Sequence, residues 1–149
     1  KVILNPAPAN ILSAELLRQI DILTPNETEA GMISGTRVTN METAKKAAAI
    51  IRDKGVKNVV ITMGKQGALI CHQKGFLQLP APEVEAVDTT AAGDVFNGAL
   101  AVALSEGKTL EAAVEFACEA SAISVTRLGA QSSIPYRNEV ITRKLDLAD

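Results

Sequence analysis

Two short apolar runs, residues 2–4 and 22–24, flank a segment in which Leu12, Leu16, Leu17 and Ile20 recur at helical spacing, and this order constrains the fold most. A strand, a helix and a strand in that much chain pair in parallel through a right-handed crossover. The helix is expected over residues 13–20, capped by Ser13. Before it, Asn5, Pro6, Ala7 and Pro8 form a stiff loop, because proline fixes φ and offers no ladder donor. The pattern then repeats. Ala44, Ala47, Ala48 and Ile51 share one face of a helix over residues 41–54, with Glu42, Lys45, Lys46, Arg52 and Asp53 elsewhere, Thr39 or Asn40 before it and Gly55 after it. Residues 58–62 read as a buried strand. Beyond them, short runs at 68–71 and 76–79 separated by glycine-bearing turns predict an antiparallel return. The expected fold class is α/β, a mostly parallel sheet flanked by helices, with an antiparallel hairpin.

The chain has 149 residues and 47% apolar content, enough for one domain with a core of its own. Fifteen basic against seventeen acidic residues, a net charge of −2 without a like-charge block and 3% aromatic residues argue against a nucleic-acid or anionic-membrane surface. There is no apolar span of membrane length and no signal peptide. Cys71 and Cys118 form no disulfide framework, which predicts a reducing, cytoplasmic setting. His72 neighbours Cys71, but two adjacent residues without further ligands build no zinc site.

The candidate chemistry centres on residues 88–100, Asp-Thr-Thr-Ala-Ala-Gly-Asp-Val-Phe-Asn-Gly-Ala-Leu. A β-rich run at 84–87 leads into a small-residue turn and then a helix with Phe96, Leu100 and Leu104 on one face. The N–H groups of Ala91, Ala92 and Gly93 then lie at the positive end of a helix, where an anion such as a transferring phosphoryl group is received. Asp94, in the same first turn, can accept the proton of an attacking alcohol. It can equally do no more than complement the helix dipole. Asn26 and Glu29 match a capping box. Thr62, Gly64 and Gly67 fit a hairpin turn as readily as a ligand loop. They match neither a Walker A loop, lacking Gly-Lys-Ser/Thr, nor a dinucleotide fingerprint. Thr109 caps a helix over 110–126, Gly129 breaks it, and a terminal helix over 136–147 carries no evident chemistry.

Residues 88–99 resemble the C-terminal signature of the ribokinase or phosphofructokinase-B family of carbohydrate kinases. Asn-Pro-Ala-Pro-Ala at 5–9, Thr-Pro-Asn-Glu-Thr-Glu at 24–29, Thr-Met-Gly-Lys-Gln-Gly at 62–67 and Arg-Leu-Gly-Ala-Gln-Ser-Ser at 127–133 resemble family segments in the same order. The resemblance covers essentially the whole chain. It implies the nucleotide-binding C-terminal portion of a ribokinase-like fold, with the sugar-binding half and lid absent. The chain begins at Lys1 without Met and enters a strand at once, as though cut within a sheet.

By this resemblance the complete protein transfers phosphate from ATP to D-ribose, giving D-ribose 5-phosphate. A fructokinase, a phosphosugar kinase, a nucleoside kinase or a noncatalytic nucleotide-binding module remain alternatives. Asp94 is then the base and touches the acceptor, and Ala91, Ala92 and Gly93 form the anion hole. ATP meets Asn26, Thr62, Met63, Gly64, Lys65, Gln66, Gly67, Gly93, Asp94 and Cys118. Glu29 positions Mg²⁺ indirectly, while Asp88, Thr90, Ser124, Arg127, Gly129 and Ser133 surround K⁺. Cys118 departs from the His or Asn frequent at its position and reproduces that hydrogen bond poorly. A homodimer through lid strands is expected.

Overall fold

The computed structural model describes residues 1–146, which fall into two compact units, Lys1–Pro80 and the segment from Ala81 onward. The first unit is a five-stranded sheet in chain order, β1 (Ile3–Leu4), β2 (Ile22–Leu23), β3 (Asn58–Thr62), β4 (Ala68–His72) and β5 (Gly75–Leu79). The first three strands are parallel, with Ile3 opposite Ile22 and Leu23 opposite Val59. β3, β4 and β5 then form an antiparallel meander in which Thr62 pairs with Ala68 and Ile70 with Leu77. The sheet is therefore mixed, and the expected hairpin has a third strand because β3 takes part in it.

Three helices accompany this sheet: α1 (Ala14–Gln19), α2 (Glu27–Ser34) and α3 (Met41–Asp53). Ser13 Oγ accepts the Leu16 N–H at 3.2 Å, so the short α1 starts where its sequence says. Leu17 and Ile20 join Leu23, Ile51, Ile61 and Leu69 in one core, each at most 2% exposed. The alanine stripe of α3, Ala44, Ala47 and Ala48, is fully buried in the same core. Gly55 ends α3 at φ +116°, and a Cβ there would stand 2.5 Å from Arg18 Cγ and 3.2 Å from Arg18 Cα, so only glycine lets this turn approach α1.

At the other end of α3, Asn40 Oδ1 accepts the Thr43 N–H at 2.9 Å and Thr43 Oγ1 accepts the Asn40 N–H at 3.1 Å. Asn40→Ala removes one half of this reciprocal cap. The expected loss is about 1 kcal/mol, read from the midpoint of urea denaturation.

The second unit is helical: α4 (Ala92–Ser105), α5 (Leu110–Ser124) and α6 (Arg137–Asp146). Thr109 Oγ1 accepts the Ala112 N–H at 3.3 Å and starts α5 after a short connection from α4. Val95, Ala120, Ile123 and Val140 form the cluster that joins the three helices, with Ala99 and Phe116 packed against it. The β-rich run expected at 84–87 is not a strand. Pro80 and Pro82 precede it and no strand among the described residues pairs with it, and the Val87 and Asp88 N–H groups both donate to the Val125 carbonyl, at 2.7 and 3.1 Å. The terminal helix begins one residue later than expected, and Leu147, its expected last residue, lies outside the described residues.

Candidate functional site

In the first unit the carboxyl ends of β2 and β3 lie side by side. Asn26 bridges to Thr62, and the Thr62 N–H donates to the Pro25 carbonyl at 3.0 Å. The start of α2 and the loop after β3 are thereby neighbours at the sheet edge where open α/β sheets receive ligands. Asn26 Oδ1 accepts the Glu29 N–H at 2.9 Å and Glu29 Oε2 accepts the Asn26 N–H at 2.8 Å, so the capping box forms as its spacing implies. Glu29 is only 7% exposed.

The loop itself is tightly built. The Met63 N–H donates to Gly67 O at 2.8 Å and the Gly67 N–H to Gly64 O at 3.0 Å, with φ of +51° at Gly64 and +90° at Gly67. It is the β3–β4 hairpin turn. Lys65 and Gln66 are exposed on it, whereas the Met63 side chain belongs to the core and its N–H and carbonyl are both engaged within the turn.

In the second unit, Asp88 ties two loops together. Its Oδ1 accepts the Thr90 N–H and its Oδ2 the Gly129 N–H, both at 2.9 Å. Hydrogen bonds from the Thr90 side chain and from the Gly129 and Thr90 N–H groups hold its carboxyl below the usual carboxylate range. The sign follows from a depressed folded-state pKa. The contribution is present above the ordinary value of about 3.9 and is lost as pH falls through the lower, folded value.

Gly129 adopts φ +86°, and a Cβ would stand 2.6 Å from Ser132 Oγ. Ser124 and Ser133 are buried and donate to the carbonyls of Ser121 and Ala130 at 2.8 and 2.7 Å. Each hydroxyl oxygen therefore keeps lone pairs. Among the described residues no three His, Cys, Asp or Glu side chains gather to hold a metal ion. Any cation here would draw on hydroxyl and carbonyl oxygens with the one Asp88 carboxylate, hard donors that suit an alkali ion.

The start of α4 differs from those of α1, α2, α3 and α5. Ser13, Asn26, Asn40 and Thr109 cap α1, α2, α3 and α5 through their side chains, but α4 begins at Ala91, which makes no such bond and sits in the left-handed region at φ 60°, ψ 11°. That conformation costs a non-glycine residue about 1–2 kcal/mol. The Ala92 N–H turns back to Thr89 O at 3.2 Å. Among the described residues nothing accepts from the Gly93 or Asp94 N–H, and the exposed Asp94 carboxylate has no partner. Two bonds hold the turn in place: Ser121 Oγ donates to Ala92 O at 3.1 Å and Asn97 Nδ2 to Gly93 O at 2.8 Å.

Cys118 lies on α5, where burial, then the nearby Glu119 and Glu115 carboxylates, push its thiol up to about 12. Burial likewise raises the Cys71 thiol. Neither is a thiolate at neutral pH. At pH 8 the folded protein should take up iodoacetamide at these two positions far more slowly than the urea-unfolded chain, as intact-mass measurements over time will show.

In α6, Glu139 pairs with the Arg127 guanidinium and Arg143 reaches both Glu119 and the Glu83 carbonyl. No residue spacing signals these long-range pairs.

In the second unit, a helix start without a side-chain cap and with a carboxylate in its first turn is an arrangement that can receive an anion. The family model for pfkB family carbohydrate kinases matches residues 1–137, and the chain belongs to that family. It is similar to the ribokinase of Haemophilus influenzae, 50% identical over 147 residues, covering 95% of this chain and 46% of that one. The ribokinase structure from Thermotoga maritima is also 50% identical, with a TM-score of 0.87 over 95% of this chain and 48% of its own. The Arabidopsis thaliana ribokinase complexed with ribose and ATP is 38% identical, with a TM-score of 0.89 over 95% and 46%. The chain thus spans about half the length of the relatives it matches. No helix among the described residues is long and apolar enough to cross a membrane.

Proposed function

We propose that this chain is the nucleotide-binding, catalytic portion of an ATP-dependent sugar kinase that phosphorylates the primary hydroxyl of D-ribose to give D-ribose 5-phosphate. The observation that carries this reading is the uncapped start of α4, with the Gly93 and Asp94 N–H groups unclaimed and the Asp94 carboxylate beside them. A capping side chain at residue 91 would occupy those donors; alanine leaves them for a phosphoryl oxygen.

Asp94 accepts the proton of the attacking hydroxyl as the oxygen bonds to the γ-phosphorus, and the bond to the ADP oxygen breaks. The Gly93 and Asp94 N–H groups stabilise the charge on the transferring group. Ala91 and Ala92 keep that surface free of bulk, so the ligand approaches the backbone. In the first unit, the Asn26 side-chain amide, the Thr62 hydroxyl and the exposed Gly64–Gln66 turn with the Lys65 charge meet the nucleotide phosphates, since the Asn26 and Thr62 N–H groups are already bonded to Glu29 and Pro25; in the second unit Cys118 lines the base as an apolar contact.

Mg²⁺ would supply charge neutralisation to the phosphates, and Glu29 would be the residue that holds it indirectly, through water. K⁺ would be held by Asp88 with oxygens of Thr90, Ser124, Arg127, Gly129 and Ser133, and would supply a fixed positive charge that orders the loops. The remaining sugar contacts, the lid and a homodimer interface through it belong to sequence outside this chain, and the protein works in the cytoplasm.

A coupled assay of ADP release by the full-length protein tests the acceptor. Ribose is expected to give the highest kcat/KM, ahead of 2-deoxyribose, fructose and nucleosides. A nucleoside or fructose preferred over ribose would move the protein to another branch of the family, and ADP release indifferent to any sugar would end the kinase reading.

A further inference from the structure

We infer that α6 is a positioning element for the loop pair joined by Asp88, acting through Glu139 on one limb and Arg143 on the other; this rests on the cation reading above. Glu139 divides its carboxylate. One oxygen pairs with the Arg127 guanidinium, and Oε2 accepts the Tyr136 N–H at 2.6 Å, which fixes the carboxylate at the start of α6. Arg127 stands two residues before Gly129, whose N–H reaches Asp88 Oδ2 at 2.9 Å. Holding Arg127 therefore holds the carbonyls of residues 127–129 relative to Asp88.

One turn further along α6, Arg143 Nη2 donates to the Glu83 carbonyl at 3.2 Å, and its Nε lies 3.1 Å from Glu119 Oε2 on α5. These two atoms are buried without a well-angled hydrogen bond between them, so the pair acts mainly as opposed charges. Residue 83 lies in the irregular segment that delivers Asp88. That segment has no ladder to order it, because its Val87 and Asp88 N–H groups share the Val125 carbonyl. Each limb of the Asp88 junction is thus fastened to α6 a few residues from the junction. Arg137 anchors the helix itself, paired with Glu106 at the end of α4 and lying 5.9 Å from the centre of the Phe116 ring. A helix that only covered apolar surface would need Val140, not three ion pairs.

The charge, not the shape, of Glu139 is what the inference requires. Glu139→Gln keeps an oxygen for the Tyr136 N–H and the same volume, and removes the charge facing Arg127. Two readouts on the full-length protein decide the matter. Hydrogen exchange at the Gly129 amide should accelerate about tenfold or more in E139Q while exchange in the α4 and α5 interiors is unchanged. The K⁺ concentration that half-saturates the enhancement of Mg–ADP affinity should rise about tenfold, with Mg–ADP affinity at saturating K⁺ unchanged. Arg143→Met should give the same pattern. A variant that loses thermal stability but keeps the wild-type Gly129 exchange and K⁺ response would reduce α6 to a structural cover and overturn the inference. If wild-type nucleotide affinity ignores K⁺, the cation reading fails, and the Gly129 exchange alone still decides whether α6 holds the loops.

Discussion

Asp94→Asn in the full-length protein is expected to lower ribose-dependent turnover about a thousandfold while Mg–ADP affinity stays within twofold of the wild type. The amide matches the carboxylate in shape but cannot take the hydroxyl proton. Asp94 is exposed and forms no bond with the described residues, so its replacement removes no folding contact. Thermal stability should therefore change by less than about 0.5 kcal/mol. Steady-state kinetics, calorimetric titration and a melting curve on one preparation separate these effects. An asparagine variant of normal turnover would move the base to another residue, and one that fails to bind nucleotide would make Asp94 a binding group.

Leu69→Ala is the largest expected loss of stability. Leu69 lies in β4, fully buried and paired with Ile61 of β3 and Gln78 of β5. Removing its branched end forfeits both burial and the contacts of a core that cannot collapse around a rigid sheet. The expected cost is about 3 kcal/mol in the free energy of unfolding, lowering the melting temperature by roughly 6–12 °C. Ile11→Ala is the control, because Ile11 is 89% exposed and its loss should change stability by less than about 0.5 kcal/mol. Urea titrations that give both variants the same midpoint would show that the sheet does not carry the core described here.

What was legible in the sequence was local. Ser13, Asn40, Thr109 and the Asn26–Glu29 pair announce helix starts because a cap is made within three residues, and each lies at the start of its helix. The alanine stripe of α3 and the apolar run of β3 follow from period alone. The run at 84–87 misled because alternating apolar residues describe a strand only if another strand is there to pair with it. Nothing in the residues themselves shows that the Asp88 carboxylate meets Gly129, which is 41 positions away.

The conformation of Ala91 was also hidden. A positive φ is normally announced by glycine, and here an alanine is forced into it by the Thr89–Ala92 turn bond and the Ser121 hydroxyl on Ala92 O. The Ala92 N–H was expected to face an anion and is engaged with Thr89 instead, while the Gly93 and Asp94 donors remain open. Asp94 was legible as a candidate because a carboxylate and a run of small residues coincide at one helix start. That it does no capping is a matter of geometry.

Hydrogen exchange at the Gly93 and Asp94 amides tests the central claim most directly. The full-length protein would be measured alone, and then with ADP, ribose and aluminium fluoride as a mimic of the transferring phosphoryl group. These two amides should slow by at least about tenfold in the complex while the Ala92 amide, already bonded to Thr89, changes little. A complex that forms by calorimetry yet leaves Gly93 and Asp94 exchanging as fast as in the free protein would mean that the phosphoryl group is received elsewhere.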